Sequence, residues 1–138
     1  MGEDVTTEVV VDDGGCTGKN HRTLLHLGWR RSDPLAVTML LTAEPDHPAL
    51  PRGQWAMLRD FLRYGLDHAT GDGDVRIGPA ASRTSVIIEL RRPGRSFPVT
   101  VPAQQVRDFL DATERLVPSG EERSDLALEQ LIERLLRA

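Results

Sequence analysis

The sequence is poor in cysteine, in aromatic residues and in long apolar runs. Cys16 is the only cysteine among 138 residues, which excludes an internal disulfide and is typical of a reducing compartment. Only 4% of the residues are aromatic, which disfavours a surface that stacks nucleic-acid bases. No apolar run approaches the roughly 20 residues of a membrane-spanning helix, and the acidic start lacks the pattern of a signal peptide. We therefore expect a cytoplasmic protein without membrane insertion.

A large excess of charge of one sign is also missing. The chain has 17 lysines and arginines against 21 aspartates and glutamates, so its formal net charge is −4. Such a balance produces no overall field that attracts nucleic acid or anionic lipid. The length and a hydrophobic content of 39% fit one domain with its own core. We assign residues 1–20 to a flexible or partly strand N-terminal segment and residues 21–138 to a single domain.

No motif indicates a catalytic, cofactor or metal site. A phosphate-binding loop would need glycine at Asp13 and serine or threonine at Asn20. The four histidines show no i, i+4 spacing and there is no second cysteine, which disfavours zinc. A nucleophilic pair of Cys16 with a histidine is the catalytic alternative left open, although glycines and acids surround the thiol. We predict no enzyme, no catalytic residues, no cofactor and no metal.

Alternation of apolar and polar residues predicts strands over most of the chain up to residue 101. On the strand at 21–31, Leu25, Leu27 and Trp29 share one face. The clearest element is a hairpin over 86–101 that turns at Arg92-Pro93-Gly94-Arg95. The predicted strands cover residues 5–11, 21–31, 35–42, 74–79, 85–91 and 96–101.

Two of three helices are predicted after this hairpin. The spacing of apolar residues predicts a mid-chain helix over 54–66, whose start could also be a short strand, and a helix over 103–117. A last helix is predicted over 125–136, where Leu128, Leu131 and Leu135 are candidate oligomer-interface residues. The expected fold class is α+β, with an antiparallel β-sheet or barrel-like core, a mid-chain helix and two C-terminal helices.

Two turns separate the strands in the middle of the chain. Residues 32–34 are predicted to form one of them. Residues 70–73 are predicted to form the other, with Gly71 or Gly73 at positive φ. Asp72 and Asp74 flank this glycine turn, but the spacing lacks the further ligands of a calcium loop.

Arginines concentrate around the predicted hairpin. Five lie between residues 76 and 95, and Glu89 is the one acidic residue between 76 and 101. The candidate partner-binding residues are Arg91, Arg92 and Arg95 at the turn, which suit an acidic protein segment. Two other interpretations stay open: binding of a single-stranded nucleic-acid backbone, and arginine stems that cover apolar surface on a solvated face.

Four segments together resemble the SsgA-like family of actinomycete sporulation and cell-division proteins. They are residues 30–37, 55–66, 70–77 and 109–121, with the family-like stretch Thr-Gly-Asp-Gly-Asp-Val-Arg-Ile at 70–77. The resemblance covers about residues 24–136 in consistent order. The sequence departs from the family pattern at Gly78, where tryptophan is usual, and in the proline-rich loop 44–53, which suggests a divergent paralogue.

The resemblance implies a fold similar to the Whirly single-strand-binding domains and assembly as a homotrimer. It also implies a non-enzymatic protein-interaction adaptor that acts at the division septum. Its implied role is septum-site selection and recruitment of division or cell-wall machinery, with the tubulin-like protein FtsZ or another SsgA-like protein as partner. The alternative function is a single-stranded nucleic-acid-binding module, which the acidic net charge and the few aromatics disfavour.

Overall fold

The computed structural model describes residues 4–18, 21–122 and 133–136, which contain two four-stranded antiparallel sheets. The first sheet has the order β1-β2-β3-β4, and the second has the order β5-β6-β7-β8. The first sheet consists of β1 (Asp4–Val11), β2 (Arg22–Arg30), β3 (Asp33–Glu44) and β4 (Trp55–Leu58). The second consists of β5 (Thr70–Asp72), β6 (Val75–Pro79), β7 (Ser85–Arg92) and β8 (Arg95–Pro102). Helix α1 (Arg59–Tyr64) follows β4, and α2 (Ala103–Leu116) follows β8.

The core of the first sheet follows the predicted alternation. Leu25, Leu27 and Trp29 on β2 are buried, and they pair in register with Leu41, Met39 and Val37 on β3. Because side chains alternate between the faces of a strand, this register places both apolar sets on one side of the sheet. β1 adds an edge strand antiparallel to β2 and contains the strand that the sequence predicts at 5–11.

The predicted hairpin forms the centre of the second sheet. Val86 pairs with Val101, and Leu90 pairs with Phe97, all four buried. The turn lies at Pro93-Gly94, between the paired Arg92 and Arg95, as predicted. The two sheets meet where Asp12 and Thr100 exchange both backbone hydrogen bonds, with N···O distances of 3.1 and 2.8 Å.

The mid-chain helix is shorter than predicted. Residues 55–58 form β4, and α1 begins only at Arg59, so the alternative of a short initial strand is correct. Trp55 and Met57 are buried while Ala56 and Leu58 are exposed, a period of two that the helical spacing over 54–66 concealed.

Two predicted turns are also displaced. Asp33 already belongs to β3, and residues 70–72 form strand β5, so that the tight turn lies at Gly73-Asp74. In each case the antiparallel pairing with the neighbouring strand extends one to three residues into the segment that was predicted as turn. A prediction from turn-forming residue types therefore overestimated the length of both turns.

The helix after the hairpin agrees with its prediction. Helix α2 buries Val106, Phe109, Leu110 and Thr113. Of the predicted last helix, residues 133–136 are helical and the remainder lies outside the described residues. The structure is α+β with two antiparallel sheets, which confirms the fold class at that level.

Candidate partner-binding surface

The structure places the three hairpin arginines in different environments. Arg91 lies on the same face of β7 as Glu89 and donates a hydrogen bond from Nε to the Glu89 carboxylate. The two side chains are each partly exposed, so the pair is a surface ion pair of small energetic value. Its main consequence is that the charge of Arg91 is already compensated.

The Arg92 side chain is engaged in contacts within the chain. Its guanidinium carbon lies 3.7 Å from the ring centroid of Trp55, and Nη2 donates to the carbonyl oxygens of Arg52 and Gln54 at 3.2 and 3.3 Å. The indole N–H of Trp55 in turn donates to the carbonyl oxygen of Arg91 at 2.9 Å. These contacts fix the end of the hairpin against β4 of the other sheet.

Arg95 remains available. Its side chain is exposed and its guanidinium carbon lies 4.6 Å from the ring centroid of Phe97. Within the described part of the chain, no carboxylate or carbonyl oxygen accepts a hydrogen bond from Arg95. Of the three candidate partner-binding residues, Arg95 therefore presents the least compensated charge.

A pocket of about 310 Å³ opens beside Arg95. Four buried apolar side chains contribute to its lining, namely Leu41, Leu50, Phe97 and Val99. Asp13, Cys16, Arg95, Ser96 and Pro98 complete the lining.

A buried ion pair lies elsewhere in the fold and was not predicted from the sequence. Arg59 is 2% exposed, and its Nη2 donates to Oε1 of Glu122 at 2.8 Å. Nη1 donates to the carbonyl oxygen of Val117 at 2.8 Å and to Oγ1 of Thr113 at 3.3 Å. Burial by itself raises the pKa of Glu122, but hydrogen bonds from Arg59 and from backbone N–H groups and the Arg59 charge outweigh it, so the pKa lies below 4.5.

This ion pair connects two of the segments that carry the family resemblance. Arg59 belongs to the segment 55–66, and Glu122 directly follows the segment 109–121. A second link joins the Oγ of Ser119 to Oδ1 of Asp60 at 3.1 Å. The two segments therefore hold the start of α1 against the end of α2. No local signal could reveal this, because the partners are separated by about sixty residues and each looks like an ordinary surface charge.

The glycine turn has the predicted conformation. Gly71 has φ of 132° and Gly73 has φ of 74°, both in the region that favours glycine. A Cβ at Gly71 would lie 2.3 Å from the carbonyl oxygen of Val75, whereas a Cβ at Gly73 would have no atom within 4 Å. The close approach of β6 thus makes Gly71 the more constrained position.

The other candidate residues are placed only in part. Leu135 is 67% exposed, as an interface residue would be, while Leu128 and Leu131 lie outside the described residues. Cys16 is exposed, and its Sγ lies 3.9 Å from the carbonyl oxygen of Ala49. Residues 4–18, 21–122 and 133–136 contain no group of three or more side chains suited to a metal ion. Among the same residues, no helix has the length and apolar character to cross a membrane.

A family model described as "Streptomyces sporulation and cell division protein, SsgA" matches residues 24–122 of this chain. Among curated relatives, the sporulation-specific cell division protein SsgB of Kineococcus radiotolerans is 36% identical over 87 residues, covering 60% of this chain and 53% of the relative. SsgB of Streptomyces coelicolor is 35% identical over 85 residues, covering 60% and 62%. The chain thus spans somewhat over half the length of these relatives.

Solved structures cover the chain more completely. A structure described with mutations in SsgB that correlate to longitudinal cell division during sporulation of Streptomyces coelicolor has a TM-score of 0.71 and 29% identity, and covers 88% of this chain and 94% of its own. An SsgA-like sporulation-specific cell division protein from Thermobifida fusca has a TM-score of 0.75 and 25% identity, and covers 96% of both chains.

Proposed function

The chain belongs to the SsgA family of Streptomyces sporulation and cell division proteins, and on that premise we propose that it is a non-enzymatic adaptor in sporulation-specific cell division. In this role it binds division or cell-wall proteins, such as FtsZ or another SsgA-like protein, and contributes to septum-site selection in the cytoplasm next to the septum. The names of its relatives support the process, because each is a sporulation-specific cell division protein.

One observation supports a protein partner more than any other: the guanidinium of Arg95 is exposed and has no ion-pair partner among the described residues, and it lies on a firmly held hairpin. The hairpin is held by the stacking of Arg92 on Trp55 and by the buried pairs of β7 and β8. A charge presented on a rigid element suits recognition of an acidic segment, since little ordering is required on binding. We retain Arg91, Arg92 and Arg95 as the proposed partner-binding residues and assign the direct contact to Arg95.

Pull-down from a sporulating actinomycete lysate, with mass spectrometry, tests this role. We expect the wild-type chain to enrich division proteins and Arg95→Glu to lose most of that enrichment, because the substitution reverses the presented charge. Arg83→Glu is the matched control, since Arg83 is also exposed but lies before the opposite end of β7. Enrichment that Arg95→Glu leaves intact would show that the hairpin is not the partner site.

Single-stranded nucleic acid is the alternative ligand. The structure offers it little, because Arg92 is engaged and Phe97, the aromatic residue of β8, is 8% exposed. Without an exposed aromatic on β8, base stacking cannot supplement the phosphate contacts of the hairpin arginines. We expect no binding of a labelled oligonucleotide below roughly tens of micromolar at low salt. Tight binding that Arg95→Glu abolishes would favour the nucleic-acid function instead.

We further propose a homotrimer of Whirly-like protomers, with the last helix at the interface. The exposed side chains of Leu135 and Leu136 support this, because they are adjacent in sequence and contiguous exposed apolar surface marks interaction sites. Light scattering at micromolar concentration should give three times the chain mass of 15.3 kDa. Leu135→Asp should lower that mass, since it places a charge in the interface. A wild-type mass equal to that of one chain would contradict the proposal.

A further inference from the structure

The edge of β8 beside the pocket has backbone groups with no strand next to them. Thr100 directs its N–H and C=O away from β7, because it exchanges both hydrogen bonds with Asp12. In an antiparallel strand alternate residues direct these groups to the same side. Ser96 therefore directs its N–H and C=O outward, and Pro98 directs its C=O outward.

The chain leaves this edge free by turning away after Asp12. Gly14 and Gly15 adopt φ of 69° and 85°, and the turn is fixed by a hydrogen bond from the Gly14 N–H to Oδ1 of Asp12 at 2.9 Å. If β1 continued in register, it would cover Ser96. Instead the pocket opens here, with Cys16 on its other side. Within the described ranges, nothing pairs with the outward backbone groups of Ser96 and Pro98.

The pocket and the edge together define what an added strand would carry. Side chains two residues apart on a strand lie on the same face. An added segment would thus direct one side chain toward Phe97 and Val99 and the side chain two positions away toward Arg95. The first position is apolar, and a pocket of about 310 Å³ has room for one large side chain. The second position faces the guanidinium of Arg95, which donates no hydrogen bond to any described residue.

Asp13 is the carboxylate in the pocket lining, and its oxygens are already engaged. Oδ2 accepts hydrogen bonds from the hydroxyls of Thr17 and Thr23, both at 2.7 Å, and Oδ1 accepts one from the Gly15 N–H at 2.9 Å. Among the described residues, no ion pair joins Asp13 to Arg95, although both line the pocket. The charge of Asp13 also disfavours an acidic side chain close to it, which leaves the side of Arg95 as the place for the partner's carboxylate.

We propose that an extended segment of a partner protein adds to the β8 edge at Ser96–Pro98, with an apolar residue in the pocket and an acidic residue two positions away on Arg95. The proposal rests on the adaptor function and adds the sequence pattern that the partner must carry. Backbone hydrogen bonds supply affinity in this mode of recognition, and the two side chains supply specificity.

The probe is a fluorescein-labelled octapeptide with leucine, serine and aspartate at consecutive central positions, measured by fluorescence anisotropy. Three matched peptides carry serine for the leucine, asparagine for the aspartate, or the aspartate moved one position closer to the leucine. We expect each change to weaken binding by roughly tenfold, because each removes the pocket contact or the charge contact. Equal binding of all four peptides would overturn the proposal.

Two changes in the protein test the location. Arg95→Glu should weaken binding of the probe peptide by at least the same factor. Arg83→Glu, which gives the protein the same net charge, should leave the peptide affinity unchanged. Cys16 is the sole cysteine, so a bulky maleimide labels the pocket rim specifically and should block the peptide. Bound peptide should also slow labelling of Cys16. A peptide that binds labelled and unlabelled protein equally does not enter the pocket, which would refute the proposal.

The outcomes separate this inference from the adaptor function. If the peptide results fail while Arg95→Glu still removes division proteins from the pull-down, the pocket proposal is wrong and the adaptor function stands. If the peptides behave as expected while the pull-down enriches no division protein, the edge binds acidic–apolar segments but the function is different.

Discussion

Replacing Arg59 by leucine is expected to lower the free energy of unfolding by about 3–5 kcal/mol, because it leaves a buried carboxylate without its counter-charge. Arg59 and Glu122 expose 3% and 8% of their side chains. The substitution also removes the donors to the carbonyl oxygen of Val117 and to Oγ1 of Thr113. Urea denaturation, followed by circular dichroism, measures the change.

A matched substitution separates the effect of losing a buried ion pair from the effect of replacing any arginine of α1. Arg63 lies on the same helix and pairs with Asp111 and Glu114, but its side chain is 37% exposed. Arg63→Leu is therefore expected to cost at most about 1 kcal/mol. The double variant Arg59→Leu with Glu122→Leu should recover much of the stability lost by Arg59→Leu alone, since no unpaired charge remains. Equal costs for Arg59→Leu and Arg63→Leu would contradict the buried-pair interpretation.

The same ion pair predicts a pH dependence. The pKa of Glu122 is lower in the folded chain than its ordinary value of 4.5, so the unfolded chain binds the proton more readily. The stabilisation is present above pH 4.5 and is lost as the pH falls through the folded pKa. Glu122→Gln should therefore flatten the acid limb of the stability curve and lower stability at neutral pH.

Gly71→Ala is the second substitution with a large expected effect. The new Cβ would lie 2.3 Å from the carbonyl oxygen of Val75 and 2.9 Å from the Cα of Arg76, and both are backbone atoms that cannot rotate away. The φ of 132° adds conformational strain for any residue with a Cβ. Strain and overpacking together should cost about 2–4 kcal/mol. Thermal and urea denaturation measure it.

Gly73 is the control for this substitution, since it lies on the same hairpin at positive φ but has no atom within 4 Å of a new Cβ. Gly73→Val should cost roughly 1–2 kcal/mol through backbone strain alone. The difference between Gly71→Ala and Gly73→Ala measures the clash with Val75 together with the extra backbone strain at the larger φ of Gly71. If the two alanine variants have the same melting temperature, the close approach of β5 and β6 is not rigid.

The strands of the core could be predicted because burial has a period of two. On β2 and β3 the buried residues alternate with exposed or half-buried ones over most of their length, so the pattern is long enough to identify the element and its inner face. The pattern of β4 spans four residues and continues directly into α1. A helical period could therefore be fitted across both, although two elements are present.

The candidate site could be predicted less well, because its chemistry depends on contacts between distant segments. The sequence places three arginines at one turn, but their availability is decided by Glu89, by Trp55 in the other sheet and by the ring of Phe97. The pocket beside Arg95 depends likewise on Leu41 and Leu50 from other parts of the chain. No periodicity or composition carries such information.

The adaptor function is tested most directly by time-lapse microscopy of the fluorescently tagged chain in sporulating hyphae. We expect the wild-type protein and Arg83→Glu to gather at septal positions before constriction, and Arg95→Glu to be diffuse while remaining folded at wild-type abundance. A wild-type chain that stays diffuse throughout sporulation, or an Arg95→Glu variant that reaches the septa normally, would contradict the account.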